Sequence, residues 1–155
     1  MSDSPKIPQK LSDLLKRFDS VTDMNDRAAL LVSYADRFTP VPPEIASRPF
    51  PEEHRVSICE SQAYVWGVRD KEGGLNIYFA VENPSGISAK ALASILASTT
   101  SGARPEEIVN IQSDIVERLF RQDISMGKGM GLMGLIELMR AIAASYVARP
   151  AKESA

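Results

Sequence analysis

Five prolines crowd one short stretch of the chain: Pro40, Pro42, Pro43, Pro49 and Pro51. Each lacks an amide hydrogen and pushes the residue before it out of the helical region, so no helix or central strand can run through them. A helix arriving from the N-terminal side must stop near Thr39, and residues 39–55 must run as an extended connection. That is longer than most connections in a compact domain, which marks it as a candidate functional surface.

On the N-terminal side, Leu11, Leu14, Leu15 and Phe18 follow the i, i+3, i+4, i+7 spacing of an amphipathic helix. After a turn at Asp19-Ser20-Val21, Thr22 or Asp23 can cap a second helix with Leu30, Leu31, Tyr34 and Phe38 on its buried side. Beyond the prolines, Gln62–Arg69 and Leu75–Glu82 read as paired strands, joined by the turn chemistry of Asp70-Lys71-Glu72-Gly73-Gly74. From Gly86 the chain returns to helix, with Ile87, Leu92, Ile95 and Leu96 on one face and Gly102 as its end. Arg104-Pro105-Glu106-Glu107 opens a further helix, and Ile115, Leu119 and Phe120 continue the apolar pattern. Residues 128–148 close the chain as a Met- and Ala-rich helix carrying Leu132, Leu135, Ile136, Met139, Ile142 and Ala143. The order of helices, hairpin, helices predicts an α+β domain, with a small antiparallel sheet packed against helices on one face. Residues 1–8 and 149–155 are expected to be flexible tails around a single domain over 9–148.

With 155 residues, 44% of them apolar, the chain can bury a real core. Its 18 basic and 20 acidic side chains leave a formal charge of −2, without a basic stripe for nucleic acid. Met1–Lys6 lacks the apolar core of a secretory signal, and no stretch reads as a membrane span, so a cytoplasmic protein is expected. Gly129-x-Gly131-x-x-Gly134 matches the dinucleotide fingerprint in letters, but the segment before it, Val116–Phe120, reads as helix where the fingerprint needs a strand. Small residues that let helices approach closely are the preferred account. Met126, Met130, Met133 and Met139 can line an adaptable surface, although at helical spacing core packing is the ordinary reading.

There is one cysteine, Cys59. That excludes an internal disulfide, a Cys-x-x-Cys redox pair and a cysteine-built zinc site. Its neighbours Ser57, Glu60, Ser61 and Gln62 are polar and the segment reads as a loop, where function concentrates. A buried structural thiol and a reactive one both remain open on these residues alone. His54, five residues upstream, is a candidate partner for a Cys–His dyad, with a solvated loop histidine as the plainer reading.

Cys59-x-Ser61-Gln62 followed by an apolar strand containing Trp66 resembles the Gly-Cys-x-Ser-x-Val-Trp signature of the SufE family. Lys90-Ala91-Leu92 resembles that family's Lys-Gly-Leu helix, and Arg104-Pro105-Glu106-Glu107-Ile108-Val109 its Thr-Pro-Glu-Glu-Ile segment. Gly131-Leu132 through Met139-Arg140-Ala141-Ile142 resembles its closing Gly-Leu…Met-x-x-Arg helix. The likeness spans about residues 11–146. The chain departs from the pattern at Ile58, where the family usually has Gly. It departs again at Asn83 and Ser85, which stand for acidic residues, and at Lys128, which stands for an Arg.

The resemblance implies the SufE/iron–sulfur-scaffold type of fold and a role as sulfur acceptor. A cysteine desulfurase, itself a pyridoxal-phosphate enzyme, would load persulfide sulfur onto Cys59, and an iron–sulfur scaffold complex would receive it. Ile58, Glu60, Ser61 and Gln62 would support the cysteine loop, and His54 and Lys128 would stabilise the thiolate or touch the partner. No cofactor or metal of its own is implied, and the chain would stimulate the desulfurase, as a monomer or homodimer, more than turn over substrate itself. A thiol near its usual pKa of 8.5 is only about 3% thiolate at pH 7, so docking is expected to supply a positive field. Three other classes remain: a redox enzyme with a single peroxidatic cysteine, an adaptor without sulfur chemistry, and an iron–sulfur scaffold. The last is short of ligands, since a cluster wants about three and the chain offers one cysteine and one histidine.

Overall fold

The computed structural model describes residues 6–57, 61–121 and 124–149. Its elements run α1 (Gln9–Ser20), α2 (Met24–Asp36), a single 3₁₀ turn (Glu52–His54), β1 (Ala63–Arg69), β2 (Leu75–Val81), α3 (Ile87–Thr100), α4 (Pro105–Val109), α5 (Ile115–Phe120) and α6 (Met126–Val147). The α+β architecture expected from the sequence is the one observed. Leu11, Leu14, Leu15 and Phe18 are all buried. Asp23 caps α2, its carboxylate accepting the Asp26 amide at 2.9 Å. Central to the helical layer is α3, whose Ala89, Leu92, Ala93, Ile95 and Leu96 are buried. Small alanines let α1, α2 and β2 close in on it.

β1 and β2 pair antiparallel in register from Ala63 opposite Val81 to Arg69 opposite Leu75. The connecting turn is held by the Asp70 carboxylate, which accepts the amides of Glu72 and Gly74, both at 2.8 Å. Alternation along the strands sends Val65, Ile77 and Phe79 into the helical core. The opposite face is not bare, contrary to the expectation of one covered face. Trp66 and Ala80 are buried there with Val41, and Ile45, Ala46 and Phe50 pack on them. The Phe50 ring centroid lies 5.1 Å from those of both Tyr64 and Trp66. The proline-rich connection is thus a strap laid across the sheet, tied to it where the Val41 amide donates to Phe79 O at 2.8 Å.

Several expectations need correction. Residues 104–120 do not form one helix: α4 stops at Val109, and Asn110 turns away to donate its side-chain amide to Lys6 O at 2.8 Å. That bond, the core contact of Ile7 and the burial of Pro8 tie down the end of the tail expected over 1–8, whose first five residues lie outside the described ones. Ile87 is 52% exposed, off the buried face of α3. Ser125 starts α6 two residues early, its hydroxyl accepting the Lys128 amide. Gly129, Gly131 and Gly134 therefore lie inside a helix, and the strand–turn–helix order of a dinucleotide site is not there. By length and composition α6 is apolar enough to cross a membrane, which the sequence reading missed. Its Leu132, Leu135, Ile136, Met139 and Ala143 nevertheless belong to the domain core.

Three guanidinium groups close helix C-termini. Arg27 on α2, only 1% exposed, donates to Phe18 O and Val21 O at the end of α1 and to Arg118 O and Leu119 O in α5. Arg69 on β1 reaches Tyr146 O (2.9 Å) and Arg149 O (2.6 Å) at the end of α6. Arg140 on α6 donates to Val109 O, the last residue of α4, at 2.9 Å. Helix-terminal carbonyls have no partner within their own helix, and cations there also meet the negative end of the helix dipole.

Arg27→Ala is expected to lower stability by about 3 kcal/mol, since it strands buried carbonyls at two helix ends. Urea unfolding measures it, and a loss below about 1 kcal/mol would show that the carbonyls find other partners. A second link between α1 and α5 is the Asp19–Arg118 pair at 2.6 Å. The hydrogen bond from Arg118 lowers the Asp19 pKa below its usual 3.8. A depressed carboxylate stabilises the fold above its unfolded pKa and loses that contribution as pH falls through the folded one. Both side chains are substantially exposed, so Asp19→Asn is expected to cost no more than about 0.5 kcal/mol at pH 7. The difference should close on acidification below the folded pKa, as followed by unfolding at stepped pH.

Candidate functional site

Ile58, Cys59 and Glu60 lie outside the described residues; what the structure describes is the frame on either side of them. On the N-terminal side of them, the Val56 amide donates to Ala63 O at 2.9 Å and Arg55 bridges antiparallel to Tyr64. The segments flanking the cysteine are therefore paired to each other. On the C-terminal side, Ser61 O accepts the Asn83 amide and Gln62 O accepts the Glu82 amide, both at 3.1 Å. Gln62 sits at φ 54°, a left-handed conformation that a non-glycine residue adopts only when its surroundings impose it.

The end of β2 supplies the surface against which Ser61 rests. Asn83 Oδ1 accepts the Ser85 amide at 3.0 Å and its hydroxyl at 2.8 Å, and the Gly86 amide donates to Asn83 O at 3.0 Å. This tight Asx turn delivers the chain into α3 at Gly86. A Cβ on Gly86 would stand 2.9 Å from Ser61 Oγ, 3.0 Å from Ser61 Cβ and 3.0 Å from Val81 Cγ1. The missing side chain is what lets Ser61 lie against the start of α3.

Between these parts is a groove of about 170 Å³. Ser61 forms one wall, the first turn of α3 (Gly86 to Ala89) another, and the first turns of α6 (Gly127, Lys128, Gly131, Leu132) the third. Neither helix carries an acidic residue in its first turn, and α3 has no side-chain cap. Two positive helix ends thus border one small groove, and Lys128 is the only charged residue among its described lining.

The sequence candidates separate accordingly. Ser61 and Lys128 line the groove, with Gln62 beside Ser61 in the chain. His54 does not line it: its Nδ1–H donates to Val65 O at 2.8 Å and its ring stacks on Trp66 at 5.2 Å, with the strap on the far side of the sheet. The sequence reading noted Asn83 and Ser85 only as departures from the family pattern and Gly86 as a helix start, and gave the α3 wall no part in the site. It also misread three methionines. Met139 is core, but Met126, Met130 and Met133 are 84%, 49% and 37% exposed on the outer side of α6.

Comparison with known proteins adds a family. The sequence profile described as "SufE: Fe-S metabolism associated domain" matches residues 12–143. SufE-like protein 1, chloroplastic/mitochondrial, of Arabidopsis thaliana is 29% identical over 136 residues, which is 87% of this chain and 35% of that protein. SufE-like protein 2, chloroplastic, of the same plant is 30% identical over 109 residues, covering 70% of this chain and 40% of that protein. The chain spans less than half the length of these curated relatives. A hypothetical protein from Thermus thermophilus, solved in solution, shares the fold with a TM-score of 0.71 at 24% identity, over 92% of this chain and 98% of its own.

Gly86→Leu is expected to drive Ser61 off the start of α3 and break its bond to the Asn83 amide. Hydrogen exchange at that amide should speed up about tenfold or more, and unchanged protection would mean that Ser61 does not depend on the missing side chain.

Proposed function

The chain belongs to the SufE family, and from that premise we propose that it accepts persulfide sulfur on Cys59 from a cysteine desulfurase and passes it to iron–sulfur cluster assembly. The observation that carries the proposal is the groove beside Ser61, bordered by two helix N-termini and one lysine, with no carboxylate among its described lining. Two residues of chain reach at most about 7 Å, so a thiol two positions before Ser61 is within range of that groove. Positive helix ends and a nearby ammonium favour thiolate over thiol, and they equally favour the anionic persulfide that follows.

The transfer balances without an added oxidant or reductant. The Cys59 thiolate attacks the outer sulfur of the desulfurase's cysteine persulfide, forming a new S–S bond. The donor's S–S bond breaks, and its cysteine leaves as a thiolate. With no second cysteine in the chain, nothing in cis can turn the loaded persulfide into a disulfide and release the sulfur early. Delivery to the scaffold repeats the same exchange with Cys59 as the leaving group. Lys128 supports the negative sulfur from the mouth of the groove, while His54 holds the strap against Trp66 and has a structural role.

Intact mass measurement after mixing with desulfurase and free cysteine is the direct test. The chain is expected to gain the mass of one sulfur atom, to lose it to reductant, and to gain nothing as Cys59→Ser. An adaptor without sulfur chemistry would stimulate the desulfurase equally well as Cys59→Ser, and that result would overturn the proposal.

A further inference from the structure

Met126, Met130 and Met133 follow one another at i, i+4 and i+7 along the outer side of α6 and remain exposed. Met126 and Met130 flank Gly127, which lines the groove, at i−1 and i+3, Met133 carries the stripe on along the outer side, and exposed Ile87 stands on the groove's α3 side. From this arrangement, and resting on the sulfur-acceptor reading above, we infer that the methionine stripe and Ile87 form the surface on which the cysteine desulfurase docks.

The first argument is size. At about 170 Å³ the groove is smaller than the roughly 300–1,000 Å³ typical of sites that enclose a small-molecule ligand. A groove of that size encloses no large ligand, and on the sulfur-acceptor reading the sulfur arrives on a protein that covers the groove from outside. For an S–S bond to form, the donor's cysteine must come within bonding distance of Cys59, and a protein that does so also covers the groove's edges. Among the described residues, the large apolar side chains exposed beside the groove are Ile87, Met126 and Met130, and Met133 extends that strip along α6.

The second argument is chemistry. Exposed thioethers on unbranched stems make an adaptable apolar contact, and methionine is enriched at protein interfaces. Among the described residues charge at the groove is one-sided, and Glu137, one turn beyond Met133 on the stripe, is paired with Arg140. From Met126 to Ile136 the only charged residue of α6 is Lys128, and the first turn of α3 carries only Lys90. The complementary face is therefore an apolar patch bearing carboxylates close to the donor cysteine. A second copy of this chain would bring lysine against lysine.

The test is the triple variant Met126→Gln, Met130→Gln and Met133→Gln. Glutamine adds no charge that would alter the thiol, and it holds a helix about as well as methionine. Two readouts with the source organism's desulfurase separate docking from chemistry. Calorimetric binding is measured in a Cys59→Ser background, where no sulfur can move. The concentration giving half-maximal sulfur loading is measured with Cys59 present. The triple variant is expected to weaken both about tenfold or more, leaving the urea midpoint and the rate of Cys59 alkylation by iodoacetamide as before, whereas Val32→Gln on α2 changes neither. Unchanged binding overturns the inference. Binding that weakens while wild-type protein takes up no sulfur overturns the sulfur-acceptor reading and leaves the docking surface standing. Should the stripe instead govern self-association, with dimers turning to monomers in sedimentation and desulfurase binding unaltered, the occupant is a second copy and the inference fails.

Discussion

The fold depends on where a buried guanidinium finds its acceptors. Arg27 is drawn into the interior by carbonyls at the ends of α1 and α5, segments about a hundred residues apart in the chain. A buried charge is tolerable only when fully hydrogen-bonded, and helix C-termini supply carbonyl oxygens that nothing else in their helix can use. Arg69 does the same for α6 and Arg140 for α4. Four helix ends are thus joined by side chains from neighbouring elements, so the ends of the helices also set their mutual positions.

That fixed framework explains how a two-stranded sheet persists. A hairpin alone is marginal in water, but this one is sandwiched, with α3 and α6 on one face and the proline strap on the other. The strap's stiffness serves the packing, because prolines lose little conformational freedom on folding. It then leads straight into Arg55 and Val56, which pair with Tyr64 and Ala63. The two ends of the cysteine segment are consequently anchored to the same rigid sheet that positions the helix N-termini around the groove.

Much of this is legible in the sequence wherever burial is one-sided. Leu11, Leu14, Leu15 and Phe18 declare α1, and the turn residues between Arg69 and Leu75 declare the hairpin. The covered outer face was also written there and passed over: Tyr64-Val65-Trp66 and Ile77-Tyr78-Phe79-Ala80 are apolar without alternation, which is the mark of strands covered on both sides. The methionines could have been sorted by phase, since Met126, Met130 and Met133 point away from the face shared by Leu132, Leu135, Ile136 and Met139. Arg27 could not be found this way. A charged residue at a helical position reads as solvent-facing, and only the distant carbonyls, brought together by tertiary structure, reverse that reading. Cys59 stands out because it is single, but the α3 wall of the groove does not, since glycine and serine carry no chemical signature until they are seen against Ser61.

On the proposed function, the groove's electrostatics suit persulfide exchange better than its rivals. A peroxidatic cysteine must also release hydroxide, and a base or hydrogen-bond donor close to the thiol assists that step. The one histidine of the chain is instead committed to Val65 O and to the Trp66 ring on the other face of the sheet. A cluster scaffold needs several ligands side by side, and among the described residues no three histidine, cysteine, aspartate or glutamate side chains are gathered as a metal site. Persulfide exchange asks for less: a nucleophilic sulfur, a positive surround that steadies sulfur anions before and after transfer, and an open approach for another protein. Two helix N-termini and Lys128 border a groove that would meet the second requirement, and the exposed outer side of α6 leaves room for the third. A field that steadied both the attacking thiolate and the loaded persulfide would bias neither direction strongly, as the proposed carrier role requires.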